Sequence, residues 1–555
     1  MNVKPLDGNQ QEVEHVSFRD EVTQWHNIEE TAPSTNEDVA INNNDNSLVI
    51  SNVYIGTHTS NSKFDQAKLE ELKKWKDMKT YEEVDFSNQK LITTSWVCTE
   101  KVKGGSLVCK ARLVARGFEE DSTNFHKDSP TCSKDCLRLM LIISSTYKWP
   151  VKSIDIRSAF LQGMRLQRNV FLKPPVEAST DGKIWKLNYA VYGLSDASRH
   201  WYERVKFELV KLKVTVSRFD SALFYYEVDR CIHRILVVHV DDFLYAGSNL
   251  FWNNVILKLY SVFIVGSEDF GCMKFLGFDL DQNRLGISLG LKDYIETMKP
   301  INLSSDKFSS KQSPLTKSQY ADFRHLLGQI NWCSSQIRLD VAFDNCYLSN
   351  RSAEPCVNDL LYANKVVKKL KSVDLILNFV PFDSMDDLCI LCYGDASFAN
   401  LPSGSSQGGV VILLVDKNGC GNLLSWQSKK LKRVCSSTLS AEALAAIEAV
   451  NYGFLFKEIL SEVCKSSNVK IRVLTDNKAL SQTVSLLTVV EDKRLRIDIA
   501  ALRETIQNQF IEGVFWIPSQ YNVANPLTKQ GAGNNYLIDV LSHKLKFDFE
   551  NNIFV

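Results

Sequence analysis

The chain has 555 residues, 44% of them hydrophobic and 10% aromatic, enough for more than one packed core and roughly three domains of ordinary length. Basic and acidic residues balance at 65 each, so the overall charge does not advertise a polyanion-binding protein. No run approaches the ~20 apolar residues that a bilayer-crossing helix needs; no secretory pattern opens the chain, and the 14 scattered cysteines fit a reducing compartment.

Residues 1–65 are rich in Asn, Ser, Thr and acids ("TAPSTNEDVAINNNDNS"), with Lys4 and Arg19 the only basic residues before Lys63. That composition predicts a disordered acidic and polar leader. "KFDQAKLEELKKWKDM" then predicts a helix with Leu69, Leu72 and Trp75 on one face. "KVKGGSLVCKARLVAR", Lys101 to Arg116, carries five bases and no acid, and "KKLKR", Lys429 to Arg433, is a second basic cluster. Such stripes can grip phosphates, although a charge run is more often a solvated face.

Acids interrupt apolar sequence at a few places. In "WPVKSIDIRSAFLQG" a strand ends near Asp155, and in "ILVVHVDDFLYAG" two short strands flank Asp241 and Asp242 at a tight hairpin. Two like charges about 4 Å apart repel by roughly 4 kcal/mol at an effective dielectric of about 20. A divalent cation removes that cost, because hard oxygen ligands suit Mg²⁺; the plain alternative is a polar turn with two acids. Three such oxygen donors around one or two metals could serve an in-line phosphoryl transfer.

A similar pattern recurs downstream. "LCILCYGDASFAN" is a continuous apolar strand, central in its sheet, ending at Asp395. "VCSSTLSAEALAAIEAVNYGF" predicts a helix capped by Ser436, Ser437 or Thr438, with Ala443, Ile447, Val450 and Phe454 as its apolar face and Glu442 beside it. "VKIRVLTDNKAL" alternates Val469, Ile471 and Val473 before Asp476. Two strand-end aspartates and a helix-start glutamate can converge on a metal pair for phosphodiester chemistry with water as nucleophile. Cys389 and Cys392 form a CxxC inside the strand with no second pair nearby, which reads as core cysteine rather than zinc ligation.

The ordered segments "EELKKWKDMKTYEEV", "KARLVARGFEE", "DIRSAFLQG", "YGLSDASRHWY", "VHVDDFLYAG", "KFLGFDL" and "FRHLLGQINWCSSQIRLDVAF" resemble the reverse transcriptase of copia-type LTR retrotransposons. "LLSWQSKKLKRVCSSTLSAE" resembles their ribonuclease H. The resemblance spans roughly residues 66–535 and implies an α+β and α/β multidomain protein. A right-hand polymerase of fingers, palm and thumb would precede a ribonuclease H-like αβ domain. It divides the chain into fingers and palm at 66–300, a thumb or connection-like helical region at 301–384, the ribonuclease H-like domain at 385–535 and a C-terminal tail at 536–555.

By the same resemblance, Asp155, Asp241 and Asp242 are polymerase metal ligands and catalytic residues, and Asp395, Glu442 and Asp476 those of the ribonuclease H. Each site would take two Mg²⁺ ions, with Mn²⁺ a substitute. Lys110 and Arg112, and more weakly Lys101, would hold the incoming triphosphate. Phe160 would exclude a ribose 2′-OH, and Phe275, Leu276 and Gly277 would form the primer grip; for Phe160 and Phe275 a plain core role is the alternative. The implied partners are an RNA template, a DNA primer, an RNA–DNA hybrid and dNTPs, with no membrane. The implied setting is intracellular, a cytoplasmic virus-like particle with room for a nuclear stage.

Three departures from the family pattern stand out. His239 replaces a Tyr, and Asp196 and Ser198 replace Gln and Pro. "NVANPLTKQGAG" puts Asn525 where an aspartate is expected, keeping one oxygen donor but losing its charge, which marks a degenerate site position. The competing function is a catalytically impaired remnant that binds nucleic acid only; an unrelated two-metal nuclease would leave the fingers-like and grip-like segments unexplained.

Overall fold

The structure, a computed structural model, describes residues 50–56, 62–103, 106–121, 123, 125–178, 181–229, 231–303, 311–401, 403–466, 468–486 and 490–555; at 50–56, 62 and 101–103 only the backbone is described. β1 (Ile50–Gly56) pairs antiparallel with β2 (Thr94–Lys103), which pairs with β3 (Ser106–Ala115). The expected leader is thereby corrected over 50–56, where "ISNVYIG" ladders onto β2; residues 1–49 lie outside the described residues.

α1 (Asp65–Asp77) forms where its spacing predicts, with a different face inward. Lys68, Glu71 and Trp75 are buried, while Leu69 is 55% exposed and Leu72 half-buried. The charges enter with partners: Lys68 bonds Glu177 at 2.7 Å, and Glu71 accepts from Trp75 Nε1 at 3.2 Å and pairs with Lys74. Hydrogen bonding offsets the cost of burying them.

α2 (Lys134–Thr146) starts at Ser133, whose side chain accepts from Cys136 N. It packs on an antiparallel sheet built from β4 (Val151–Ile156), β5 (Thr215–Val216), β6 (Leu223–Val228), β7 (Cys231–His239), β8 (Asp242–Gly247) and β9 (Val265–Phe270), in the order β9-β4-β8-β7-β6-β5. Successive side chains of a strand face opposite sides. Ile235, Val237, Leu244 and Ala246 therefore join Leu139 and Ile143 of α2. Leu236, Val238, Phe243 and Tyr245 join Trp201, Val205 and Leu209 of α3 (Ala197–Lys211) in a second core. Burial on both sides accounts for the unbroken apolar runs around the two aspartates.

β10 (Cys272–Phe275), β11 (Phe278–Asn283) and β12 (Gly286–Gly290) form a second sheet, to which β13 (Leu377–Phe379) adds beyond β12. Between them lie α4 (Lys317–Gln336), opened by a Thr316–Gln319 capping box, α5 (Ala342–Asn350) and α6 (Val357–Ser372). The β12–β13 ladder crosses the expected division at residue 300, so that division is not one of packing.

The C-terminal unit is a five-stranded sheet flanked by helices. Its strands are β14 (Cys389–Ser397), β15 (Gln407–Val415), β16 (Gly421–Lys430), β17 (Lys470–Thr475) and β18 (Gly513–Trp516), in the order β16-β15-β14-β17-β18. β14 is central, as its apolar run predicts, and runs parallel to β17. α7 (Thr438–Cys464) crosses between them, capped by Ser437 accepting from Ser440 N. Its buried face is broader than the predicted stripe: Ala441, Ala445, Ala446, Ala449 and Phe456 are buried, while Ile447 and Phe454 are half-buried. A Cβ on Gly453 would lie 2.8 Å from Cys392 Sγ, so the helix crosses this strand at a distance only glycine allows. Among the described residues α7 alone is long and apolar enough to cross a membrane, yet its small-residue face lies on the sheet.

Residues 536–555, expected as a tail, are packed. α8 (Asn535–Leu541) and the hairpin Phe547–Asp548/Ile553–Phe554 bury Leu537, Val540, Phe547 and Phe554. One hydrophobic cluster runs from α2 through α4 and α6 into the C-terminal sheet. Within it Arg138 of α2, 2% exposed, donates to the carbonyls of Ser335, Gln336 and Leu424 and lies 3.9 Å from the Trp426 ring centroid. Glu462 of α7 accepts from Ser217 Oγ at 2.6 Å and from Arg218 N at 3.0 Å. The mixed α/β protein is multidomain in topology but joined by a shared core.

Candidate active sites

The β7–β8 hairpin closes with His239 opposite Asp242, leaving Val240 and Asp241 as a two-residue turn. Val240 has φ +57°, costly for a β-branched residue, and Trp201 Nε1 holds its carbonyl at 2.6 Å. The next ladder sets Asp242 opposite Asp155 of β4, while Ile156 N donates to the Asp241 carbonyl at 3.0 Å. Asp155 and Asp242 thus lie opposite each other in the ladder, with Asp241 in the turn beside them. On the other side of β4, a methyl group on Gly266 would run into Asp155 Oδ2.

Asp155 and Asp241 line a cleft of about 720 Å³ whose walls also include Lys110, Arg112, Arg157 and Tyr192. Lys110 and Arg112 sit two residues apart on β3 and share a strand face. Lys101 falls on β2 opposite Val108, with its side chain outside the description. Phe160 stands one step behind the wall, its ring 4.9 Å from that of Tyr192, over which the Arg112 guanidinium lies at 5.7 Å. Burial, then Asp241 and Asp155, pushes the Asp242 carboxyl up to about 6. Burial and Asp241 also raise Asp155, against Arg157, Lys110 and Arg112. Burial lowers His239 despite Asp241.

The grip-like segment is corrected in one respect. Phe275 is 3% exposed inside the core, so no ligand reaches its ring. Leu276 (φ +51°) and Gly277 (φ +82°) make the two-residue turn and are its accessible part. Asp196, one of the departures, is buried, paired with Arg168 and His200 and held down to about 2, burial being outweighed by those hydrogen bonds.

In the C-terminal unit Asp395, which β14 passes by two residues rather than ending at, Glu442 in the first turns of α7 and Asp476 just past β17 converge. Each offers an oxygen within 4.8 Å of the others, the one such group among the described residues. Asp395 Oδ1 and Glu442 Oε2 are buried and meet no donor. Burial first, then the neighbouring carboxylates, pushes Asp395 and Glu442 well above the usual carboxylate range. An all-oxygen set with orphaned buried acceptors fits a hard divalent cation.

Sequence reasoning singled out Asn525 here but missed its neighbours. Asn522 Nδ2 donates to Asp476 Oδ1 and to the Gly394 carbonyl, both at 3.2 Å. Thr528 Oγ1 donates to Asp395 Oδ2, and Lys529 Nζ lies 3.7 Å from that same oxygen. Asn525 accepts from Lys529 Nζ at 2.5 Å. In the first site the missed residues are Tyr192, Arg157 and Gly266. The run "NVANPLTK", already singled out for Asn525, was the available signal for the second group; the first group had none.

Two groups of acids, one beside a basic cleft and one at the meeting of two strands and a helix, are the candidate sites. Residues 78–314 match the family described as reverse transcriptase (RNA-dependent DNA polymerase). The chain is 23% identical over 501 residues to the transposon Ty1-GR2 Gag-Pol polyprotein of Saccharomyces cerevisiae, across 82% of this chain. It spans about a quarter of that curated relative's length, 27%. The resemblance to copia-type retrotransposon Pol proteins is borne out: the chain carries a reverse transcriptase domain and is a relative of those polyproteins. Among solved structures it is similar to a foamy viral protease-reverse transcriptase in complex with double-stranded DNA, at 12% identity and TM-score 0.48, covering 83% of this chain and 70% of that one. It is also similar to an RNase H1 from Halobacterium salinarum, at 18% identity and TM-score 0.20, covering 27% and 98%.

Proposed function

We propose that the chain is an RNA-directed DNA polymerase with an associated ribonuclease H, arranged as β2–β3 fingers, a six-stranded palm, a helical thumb or connection and a C-terminal ribonuclease H-like unit. The observation that supports it is the pairing of Asp155 with Asp242 in one ladder, with Asp155 and Asp241 lining a basic cleft, inside the segment that matches a reverse transcriptase. Lys110 and Arg112, with Lys101, bind the triphosphate of a dNTP, leaving its α-phosphate over the acids. Tyr192, backed by Phe160, lies beneath the sugar and crowds a 2′-OH. Leu276 and Gly277 present backbone to the primer strand.

Asp155, Asp241 and Asp242 would hold Mg²⁺, or Mn²⁺, which when bound neutralises charge developing on the attacking and leaving oxygens. Asp395, Glu442 and Asp476 would do the same for a water attacking the RNA strand of an RNA–DNA hybrid. In the chain itself Trp201 fixes the turn that aims Asp241, and Gly266 leaves Asp155 its space. The proposed setting is an intracellular virus-like particle. Primer extension on an RNA template with Mg²⁺ and dNTPs tests the reading: template-directed DNA is expected, and none from a folded, Mg²⁺-saturated chain favours the binding-only remnant.

A further inference from the structure

The loop after β18 brings a cation of the chain's own to the second acid cluster. Lys529 Nζ lies 3.7 Å from Asp395 Oδ2 and 2.5 Å from Asn525 Oδ1, and the Asn525 amide stands where the resemblance leads one to expect an aspartate. The loop is fixed on several sides. Asn522 donates to Asp476, Ser428 Oγ to the Leu527 carbonyl at 2.6 Å, and Asn400 Nδ2 to the Thr528 carbonyl at 3.0 Å, while Pro526 and Leu527 are buried. A lysine on such a loop is delivered to Asp395 rather than left to wander. The two donor-free buried oxygens, Asp395 Oδ1 and Glu442 Oε2, belong to the inner set shared with Asp476.

We propose that Lys529, anchored by Asn525, takes the place of one of the two divalent ions at this cluster, so that Asp395, Glu442 and Asp476 hold a single ion. The proposal rests on the ribonuclease H reading of the site. Charge supports it: three carboxylates are balanced by one dication and one ammonium, whereas an aspartate at 525 beside the same ammonium would leave one negative charge that a single dication does not cancel. Asn525 is then an anchor that accepts from the ammonium without adding a charge that would recruit a second ion. Lys529 is a positioning and specificity-determining residue, acting through Asp395.

The test counts bound Mn²⁺ by calorimetry and electron paramagnetic resonance in the full chain, with Asp241→Asn and Asp242→Asn included to silence the first cluster. One ion per chain is expected, abolished by adding Glu442→Gln. Lys529→Ala and Asn525→Asp should each let a second ion bind, at least about tenfold more tightly than in the parent, as expected when a cation a few ångströms away is removed or an anion added. Lys529→Arg should keep the count at one. The lysine side chain is 45% exposed, so these changes leave the core untouched. Two ions of similar affinity in the parent, or no change in Lys529→Ala, overturns the role of Lys529 while leaving the hydrolytic reading intact. No ion bound in parent or variants overturns the hydrolytic reading and the proposal together.

Discussion

Single residues set the chemistry of both clusters through space and charge. Gly266 leaves only enough room for Asp155, so Gly266→Ala should push that carboxylate aside and lower DNA synthesis by about 10²-fold, as small misplacements of reacting groups do. Normal synthesis by a folded Gly266→Ala chain would remove Asp155 from the site. Burial raises Asp395 and Glu442, so the folded, ion-free chain keeps protons that the unfolded chain has released. Their contribution to stability is present below the unfolded carboxyl range near pH 4 and is lost as pH rises through the raised folded values. Melting in a chelator should therefore fall from pH 5 to pH 8, Mg²⁺ should recover most at pH 8, and Glu442→Gln should flatten the slope. A melting temperature that rises over this range would contradict the assignment. At the proposed nucleotide cleft, Phe160→Ala should admit ribonucleotides by loosening the Tyr192 wall, with deoxynucleotide addition largely kept; unchanged discrimination would return Phe160 to a core role.

Elements carry these residues into place, and here the legible part of the sequence divides from the rest. The strands that carry Asp155 and deliver Asp476 were readable because apolar runs of strand length stop at an acid, while the strand through Asp395 runs on to Ser397; the hairpin was readable from its symmetric apolar flanks. The inward face of α1 was not, because Lys68 is buried against a partner, Glu177, far away in sequence. The full width of the buried face of α7 was hidden for a related reason: it depends on how closely Gly453 lets the helix approach Cys392. Tyr192, Asn522 and Lys529 join their sites through turns whose course no local period encodes. Arg138 belongs to the same class, since its acceptors at Ser335, Gln336 and Leu424 come from two other elements. Arg138→Met leaves those carbonyls unpaired and should cost about 3 kcal/mol. Urea denaturation measures it; a change under about 0.5 kcal/mol would make Arg138 a bystander.

At the scale of the whole molecule, the shared core and the Glu462 contacts to Ser217 and Arg218 join the units that carry the two acid clusters into one body. A chain cut after residue 384 exposes the faces that α2 and α5 bury against β16, and is expected to aggregate or melt well below the full chain. The central claim is that this one body holds two independent phosphoryl-transfer sites, in the β4–β8 ladder and at the meeting of β14, α7 and β17. It is tested most directly by following primer extension and template cleavage together, on one RNA template with a labelled DNA primer in Mg²⁺. The substrate is given to the parent, Asp242→Asn and Glu442→Gln. Asp242→Asn should lose extension by about 10²-fold or more and keep cleavage, and Glu442→Gln should lose cleavage and keep extension. Loss of both activities from either single substitution, in chains that fold and bind the hybrid normally, would contradict it.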